Sequence, residues 1–200
     1  MDHQERDNFV LLEGRAAGEP RYSHAARSQR FYTLPLEVLR LSGASDTLNV
    51  TIRESMLDAL VPHRPLRLEG ELRSFNSRSG EWPRLVISVF AHELMNGEGE
   101  DENLVVLRGT LCRKPNLRVT PMGREICDLL LAVNRRYGRS DYLPCICWGH
   151  TARTAERWDV GRRVRLSGRV QSRPYLKQTD SGTEERVAFE VSATEVATLS

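Results

Sequence analysis

The sequence repeats itself. At an offset of 95 residues, NFVLLEG at Asn8–Gly14 falls on NLVVLRG at Asn103–Gly109, and the register holds without a gap from Asn8 to Glu54. The same offset pairs Pro20 with Pro115, Leu34 with Leu129, Leu36 with Leu131, Val38 with Val133, Arg40 with Arg135 and Asp46 with Asp141. After a short insertion, LRLEGEL at Leu66 matches VRLSGRV at Val164. After a longer final hairpin, LVISVFAHEL at Leu85 matches VAFEVSATEV at Val187. Two copies are too few for a solenoid, and each copy is long enough to fold as its own domain. The run 96–102, NGEGEDE, has no apolar residue and reads as an exposed linker. The expected organisation is a frayed segment 1–7, a first domain 8–95, the linker 96–102 and a second domain 103–197.

Within each copy the apolar residues alternate, so the elements are strands. The spacing predicts a first strand over the NxVxLxG stretch, with its glycine marking a bulge or bend. Second strands are expected over Phe31–Arg40 and Ile126–Arg135, and third strands over Leu48–Arg53 and Tyr142–Trp148. One short helix follows, Glu54–Leu60 or His150–Trp158. Fourth strands, Pro65–Ser74 and Arg163–Ser172, and fifth strands, Arg84–Leu94 and Arg186–Val196, complete the copy. Three strands, a helix and two strands is the order of an OB-fold, a five-stranded Greek-key barrel. The expected fold is therefore all-β, two tandem OB barrels with one short helix each. Their last hairpins, FNSRSGEWP and RPYLKQTDSGTEE, project from the barrels.

Charge is unevenly shared. Residues 1–101 hold 12 Arg against 16 acidic residues, a balance of −4, whereas residues 102–200 hold 17 Lys and Arg against 11 acidic residues, a balance of +6. A basic half beside an acidic one points to a polyanion as partner of the basic half, although two ordinary solvated surfaces would read the same way. No apolar run is long enough for a membrane span, and MDHQERDN lacks an apolar signal core, so an intracellular, cytoplasmic location is expected. The four cysteines, Cys112, Cys127, Cys145 and Cys147, fit a reducing compartment. Cys145 and Cys147 alternate on one strand and share a side, but no spaced Cys/His pair completes a zinc site. They read as small buried hydrophobes, and no metal or cofactor is expected.

No catalytic constellation is present: no phosphate loop, no metal helix and no nucleophile elbow, so no enzyme is expected. The second copy instead interleaves rings with cations. Binding a single strand needs cations that follow the phosphates and flat rings on which unstacked bases lie, each stacked base contributing about 1–3 kcal/mol. Arg135, Arg136, Tyr137 and Arg139 lie between the second and third strands, Tyr142 and Trp148 on the third, and Arg173, Tyr175 and Lys177 in the last hairpin. Lys114 adds a further cation. Tyr142 and Trp148 differ by six and share a strand face, which is either the ligand face or the core. Trp158 and Phe189 read as packing residues, and His150 as a solvated residue at the helix start.

Several of these segments together resemble the bacterial single-stranded DNA-binding protein family. They are NLVVLRGTL, KPNLRVTPMG, LLLAVNR, SDYLPCICWG, VGRRVRLSGRVQSRPY and FEVSATEV, and they span the whole second copy. The resemblance implies an OB-fold that binds single-stranded DNA without sequence preference. It places the family's stacking aromatics at Tyr137, Tyr142, Trp148 and Tyr175. The first copy resembles the family more faintly, with Thr47 in place of Tyr142 and Arg53 in place of Trp148. Phe75, Trp82 and Arg53 are its candidate contacts, and it is expected to serve assembly or weaker binding. Family members usually form four-barrel tetramers, so a two-barrel chain implies a homodimer. They also usually end in an acidic-apolar tail that recruits other proteins. Here the sequence ends at ATLS, and recruitment by such a tail is not expected.

The expected function is thus a coat for single-stranded DNA in replication, recombination or repair. One alternative is an OB-fold adaptor in a primosome-like or mobile-element replication complex. Another is an RNA-binding module of the cold-shock kind.

Overall fold

A computed structural model describes residues 6–76, 85–135, 138–179 and 182–199, Lys177 and Thr179 through their backbone alone. The first repeat holds β1 (Asn8–Ala16), β2 (Arg21–Ala26), β3 (Gln29–Leu39), β4 (Ser45–Arg53), a 3-10 helix (Glu54–Ala59), β5 (Leu66–Asn76) and β6 (Leu85–Asn96). The second holds β7 (Glu102–Leu111), β8 (Asn116–Val119), β9 (Glu125–Asn134), β10 (Ser140–Trp148), α1 (Gly149–Glu156), β11 (Arg163–Thr179) and β12 (Gly182–Thr198). The described strands form one hydrogen-bonded sheet in the order β2-β3-β4-β6-β5-β1-β7-β11-β12-β10-β9-β8. That order is the same list read outward twice from the β1–β7 seam.

Each half closes on itself. In the first, β4 runs parallel to β6 at Val50–Val89, and β1 leaves β5 to meet β3 at Arg15–Glu37. In the second, β10 runs parallel to β12 at Cys145–Val191, and β7 meets β9 at Thr110–Ala132. This is the closure of an OB barrel. Gly14 and Gly109 sit where the first strand of each repeat changes partner. A Cβ at Gly14 would lie 2.2 Å from the Glu37 carbonyl oxygen, and one at Gly109 would lie 2.7 Å from that of Ala132. The bend expected there is present. The register shifts lie elsewhere, at Glu69/Gly70 and Ser167/Gly168.

Other expectations are extended or redrawn. β2 and β8, which the sequence pattern does not distinguish from loop, pair with the strands that follow them and give six described strands per repeat. β2 has every residue exposed, so no alternation marks it. The expected helix over Glu54–Leu60 is a single 3-10 segment without a fully buried residue. Its counterpart is α-helical and seats Ala152 and Ala155 in the core. The last hairpin of the second repeat is no loose loop: β11 and β12 stay paired from Val164–Thr198 out to Thr179–Gly182.

Inside each barrel the inward residues alternate along every strand, for example Leu34, Leu36 and Val38 on β3 and Leu129, Leu131 and Val133 on β9. Cys127, Cys145 and Cys147 are buried, and Trp158 closes the end of the second core. Phe189 packs against that core from its edge. Burial pushes the Cys127 thiol up to about 11 and the Cys147 thiol to about 12, with Cys145 also well raised, so all three stay protonated near neutrality.

The asparagine that opens each repeat motif has a structural task. Asn8 Nδ2 donates to the Leu72 carbonyl at 2.8 Å and its Oδ1 accepts from the Leu72 N–H at 2.9 Å. Asn103 does the same to Val170 at 2.8 and 3.0 Å.

The two repeats join along β1 and β7, antiparallel from Asn8–Leu107 to Glu13–Glu102. Buried acids fasten the remainder. Asp46 accepts from the Ser172 N–H at 2.7 Å and the Ser172 hydroxyl at 2.8 Å, and binds its own Arg40 through both oxygens. Asp141 accepts from the Ser74 N–H at 2.5 Å, from Arg135 through both oxygens, and from Arg73 at 3.2 Å. Each acid thus reaches across the repeats, Asp46 from β4 to β11 and Asp141 from β10 to β5. Burial alone would raise the Asp46 pKa. The Arg40 guanidinium and the two Ser172 donors outweigh it and hold the carboxyl below its ordinary value.

Candidate nucleic-acid interface

β10 fixes the interface because its alternation splits core from surface. Asp141, Leu143, Cys145 and Cys147 point inward and are buried. Tyr142, Pro144, Ile146 and Trp148 lie on the other face, where Tyr142 is 50% and Trp148 38% exposed, Pro144 is half-buried and Ile146 between them is covered. Both rings therefore lie on the outer face.

Trp148 is held at its indole: Nε1 donates to the Ser192 hydroxyl on the neighbouring β12 at 3.2 Å. Its backbone is fixed by Thr151, whose hydroxyl accepts from the Trp148 N–H at 3.2 Å and donates to its carbonyl at 2.8 Å. An immobilised ring with one face open loses little freedom when a base stacks on it. Tyr142 is fixed through its N–H, which donates to the Ser74 hydroxyl of the first repeat at 2.7 Å.

The β11–β12 arm supplies the second group. Arg173 is exposed, with Nε 3.6 Å from Glu190, and Tyr175 is half-buried opposite Arg186. The backbone of Lys177 continues the same strand opposite Glu184. Gln171 donates to Glu190 at 3.0 Å, which keeps that carboxylate engaged near the ring platform. Arg139 is exposed in the turn closed by the Arg135 N–H donating to the Arg139 carbonyl at 2.7 Å. Tyr137, Arg136 and Trp82 lie outside the described residues.

Besides Arg173, three of the cations singled out from sequence have protein partners. Arg135 binds Asp141 and the Ser74 carbonyl at 3.0 Å, which places it in the seam between repeats. Lys114 Nζ donates to Asp159 at 2.8 Å and to the Trp158 carbonyl at 3.1 Å, bracing the end of the helix segment. Arg53 donates to the His92 carbonyl at 3.2 Å and lies over the Phe90 ring. Phe75 is exposed on β5. Sequence reasoning missed the acids Asp46 and Asp141 and their serines, Ser74 and Ser172. The repeat alignment pairs the two acids and their arginines, but it carries no sign that each acid bonds across to the other copy.

The arrangement offers flat, fixed rings and exposed guanidinium groups on one face, without a metal-binding cluster among the described residues. No helix among the described residues is long and apolar enough to cross a membrane.

Comparisons with known proteins agree with this geometry. The profile of the Single-strand binding protein family matches residues 102–199. The single-stranded DNA-binding protein of Clostridium tetani is 38% identical over 104 residues, covering 48% of this chain and 70% of that one. Single-stranded DNA-binding protein B of Bacillus subtilis is 39% identical over 80 residues, covering 36% and 71%. The crystal structure of the wild-type single-stranded DNA binding protein from Thermus aquaticus superimposes with a TM-score of 0.78 at 23% identity. It covers 96% of this chain and 93% of that one, a likeness of fold that extends over both repeats. A family profile that fills the second repeat, and relatives matched over more than two thirds of their own length, carry one conclusion: the chain belongs to the single-strand binding protein family.

Proposed function

We propose that the protein binds single-stranded DNA without sequence preference and protects it during replication, recombination or repair. The observation that carries this is the outward placement of Tyr142 and Trp148 on β10 beside the Arg173–Tyr175 arm. Rings of this kind stack any base, and the exposed arginines meet the phosphates. Tyr142, Trp148 and Tyr175 are the stacking platforms in this reading, with Tyr137 joining them from the β9–β10 loop. Arg139, Arg173, Lys177 and Arg136 supply the cations, while Arg135 and Lys114 serve the fold first. The chemistry is binding, without catalysis. The adaptor reading is not favoured, because the segments matched in the family are those that carry the rings.

The organisation that fits is two OB units, 8–95 and 103–197, joined by 96–102, in a chain that dimerises to present four barrels in the cytoplasm. Sedimentation at twice the chain mass supports the dimer.

The test is tryptophan fluorescence during titration with poly-dT at low and high salt. Quenching that moves to weaker binding in salt, and that is lost in Trp148→Ala, supports stacking with phosphate contact. Trp158 is buried and does not report. Absence of both binding and quenching defeats the reading.

A further inference from the structure

β11 leaves the body of the second barrel after Gly168, the last residue that it pairs with β7. From there its ladder continues against β12, out to Thr179–Gly182. This arm carries Arg173 and Tyr175. None of its described side chains from Arg173 to Gln178, or from Gly182 to Val187, is buried. Packing into a core therefore does not set the direction in which the arm points.

The root of the arm is held by the other repeat. Ser172 donates its N–H to the Asp46 carboxylate at 2.7 Å and its hydroxyl to the same oxygen at 2.8 Å. Arg40 donates to the Ser172 carbonyl at 3.3 Å, while its Nε and Nη2 bond Asp46 at 2.6 and 2.5 Å. All three polar groups of Ser172 thus have a partner in the first repeat.

These partners are themselves fixed. Asp46 is fully buried. Arg40 closes a tight turn, in which its N–H donates to the Ala44 carbonyl at 2.7 Å and its carbonyl accepts from the Gly43 N–H at 2.9 Å. Burial opposes the charge on Asp46, but Arg40 and Ser172 outweigh it, so the anchor is a carboxylate at neutral pH. Hydrogen bonds to an ionised acceptor in a buried site are the strong kind.

The barrels already meet along β1 and β7, from Asn8–Leu107 to Glu13–Glu102. The Asp46 contact falls elsewhere, on the residue just before Arg173. We infer that Asp46 and Arg40 are positioning residues for DNA binding, through which the first repeat aims the arm of the second. Arg173 and Tyr175 are then in place when a strand seats on Tyr142 and Trp148. An arm fixed beforehand loses less freedom when a base stacks on Tyr175. In this role neither Asp46 nor Arg40 touches the strand.

The inference rests on the single-strand reading above, and a thermodynamic cycle in the full chain separates aiming from general support. Asp46→Asn should weaken poly-dT binding about fivefold or more. The sign is informative, because removing a negative charge by itself favours a polyanion. In a chain carrying Arg173→Ala and Tyr175→Ala, the same substitution should cost less than about twofold, since the arm that it aims has lost its contacts. In the Trp148→Ala chain it should keep its full effect. Ser172→Ala removes one bond and leaves the Asp46–Arg40 pair in place, so it is the milder variant and carries the cycle if Asp46→Asn does not fold. It should weaken binding about threefold. Amide hydrogen exchange should quicken from Arg173 to Arg186 in both variants and stay unchanged in β9. Binding within about twofold of the parent for both variants overturns the inference, as does an equal loss in the chain lacking Arg173 and Tyr175. Either result leaves the Trp148 site standing. A parent protein that does not bind poly-dT defeats the single-strand reading itself.

Discussion

The Asp141 carboxylate of the second repeat accepts the backbone N–H of Ser74 in the first, 2.5 Å away, and Asp46 returns the contact at Ser172. These buried acids are the polar counterpart of the β1–β7 seam and set how one barrel sits against the other. The same linkage positions the interface, because the residue after Asp141 is Tyr142, whose own N–H is held by the Ser74 hydroxyl.

Substituting Asp141 by Asn should therefore do two things. It removes a charge that satisfies Arg135, Arg73 and a buried N–H, which should lower the unfolding free energy by about 2–3 kcal/mol in urea titrations. It should also weaken DNA binding through Tyr142. Unchanged stability would show that the seam does not depend on this acid.

Acid should loosen the protein through Asp46 and Glu13. Burial alone would raise Glu13, but the Gly99 N–H, with Arg67 and Glu98, outweighs it and lowers its pKa, as Arg40 and Ser172 do for Asp46. A carboxyl depressed in the folded state contributes stability that is present above its unfolded value of about 4 and lost as pH falls through the folded value. Melting temperature should thus be flat from neutrality to about pH 5 and fall below about pH 4. Asp46→Asn should start lower and fall less steeply in the same melts.

Arg173 and Arg135 should separate phosphate contact from structure. Arg173 is exposed, so Arg173→Ala should reduce the salt slope of binding by about 0.7 per lost phosphate contact, with little change in melting temperature. Arg135→Ala should leave Asp141 short of its principal partner and lower the melting temperature. Equal salt slopes for the parent and Arg173→Ala would remove Arg173 from the phosphate path.

Thiol reactivity should report the second core. Cys127, Cys145 and Cys147 are buried with raised pKa values, whereas Cys112 is only half-buried. Cys112 should react first with a disulfide reagent under native conditions, and the others only at the rate of unfolding. Fast labelling of all four would contradict this packing.

Much of the architecture is legible in the chain itself. The 95-residue offset fixes the duplication, and period-two alternation marks the five expected strands of each copy and puts Tyr142 and Trp148 on one face of β10, which the fold then shows to be the outer one. These features are local, repeating every second residue along one strand, and a linear sequence displays them. β2 escaped because it is exposed on both sides, with no burial to imprint a pattern. The seam and the ring contacts of the first repeat escaped for a different reason. Asp46 meets Ser172 and Phe31 meets Phe90 only when strands distant in sequence are laid side by side and the barrels are joined along β1 and β7. The acidic balance of the first half pointed away from DNA because a summed charge has no direction. The fold gave it one, with Arg27 and Arg30 at the tip of the β2–β3 hairpin, where Arg30 meets Glu54 at 3.3 Å, and Arg21 at the other end opposite Thr33.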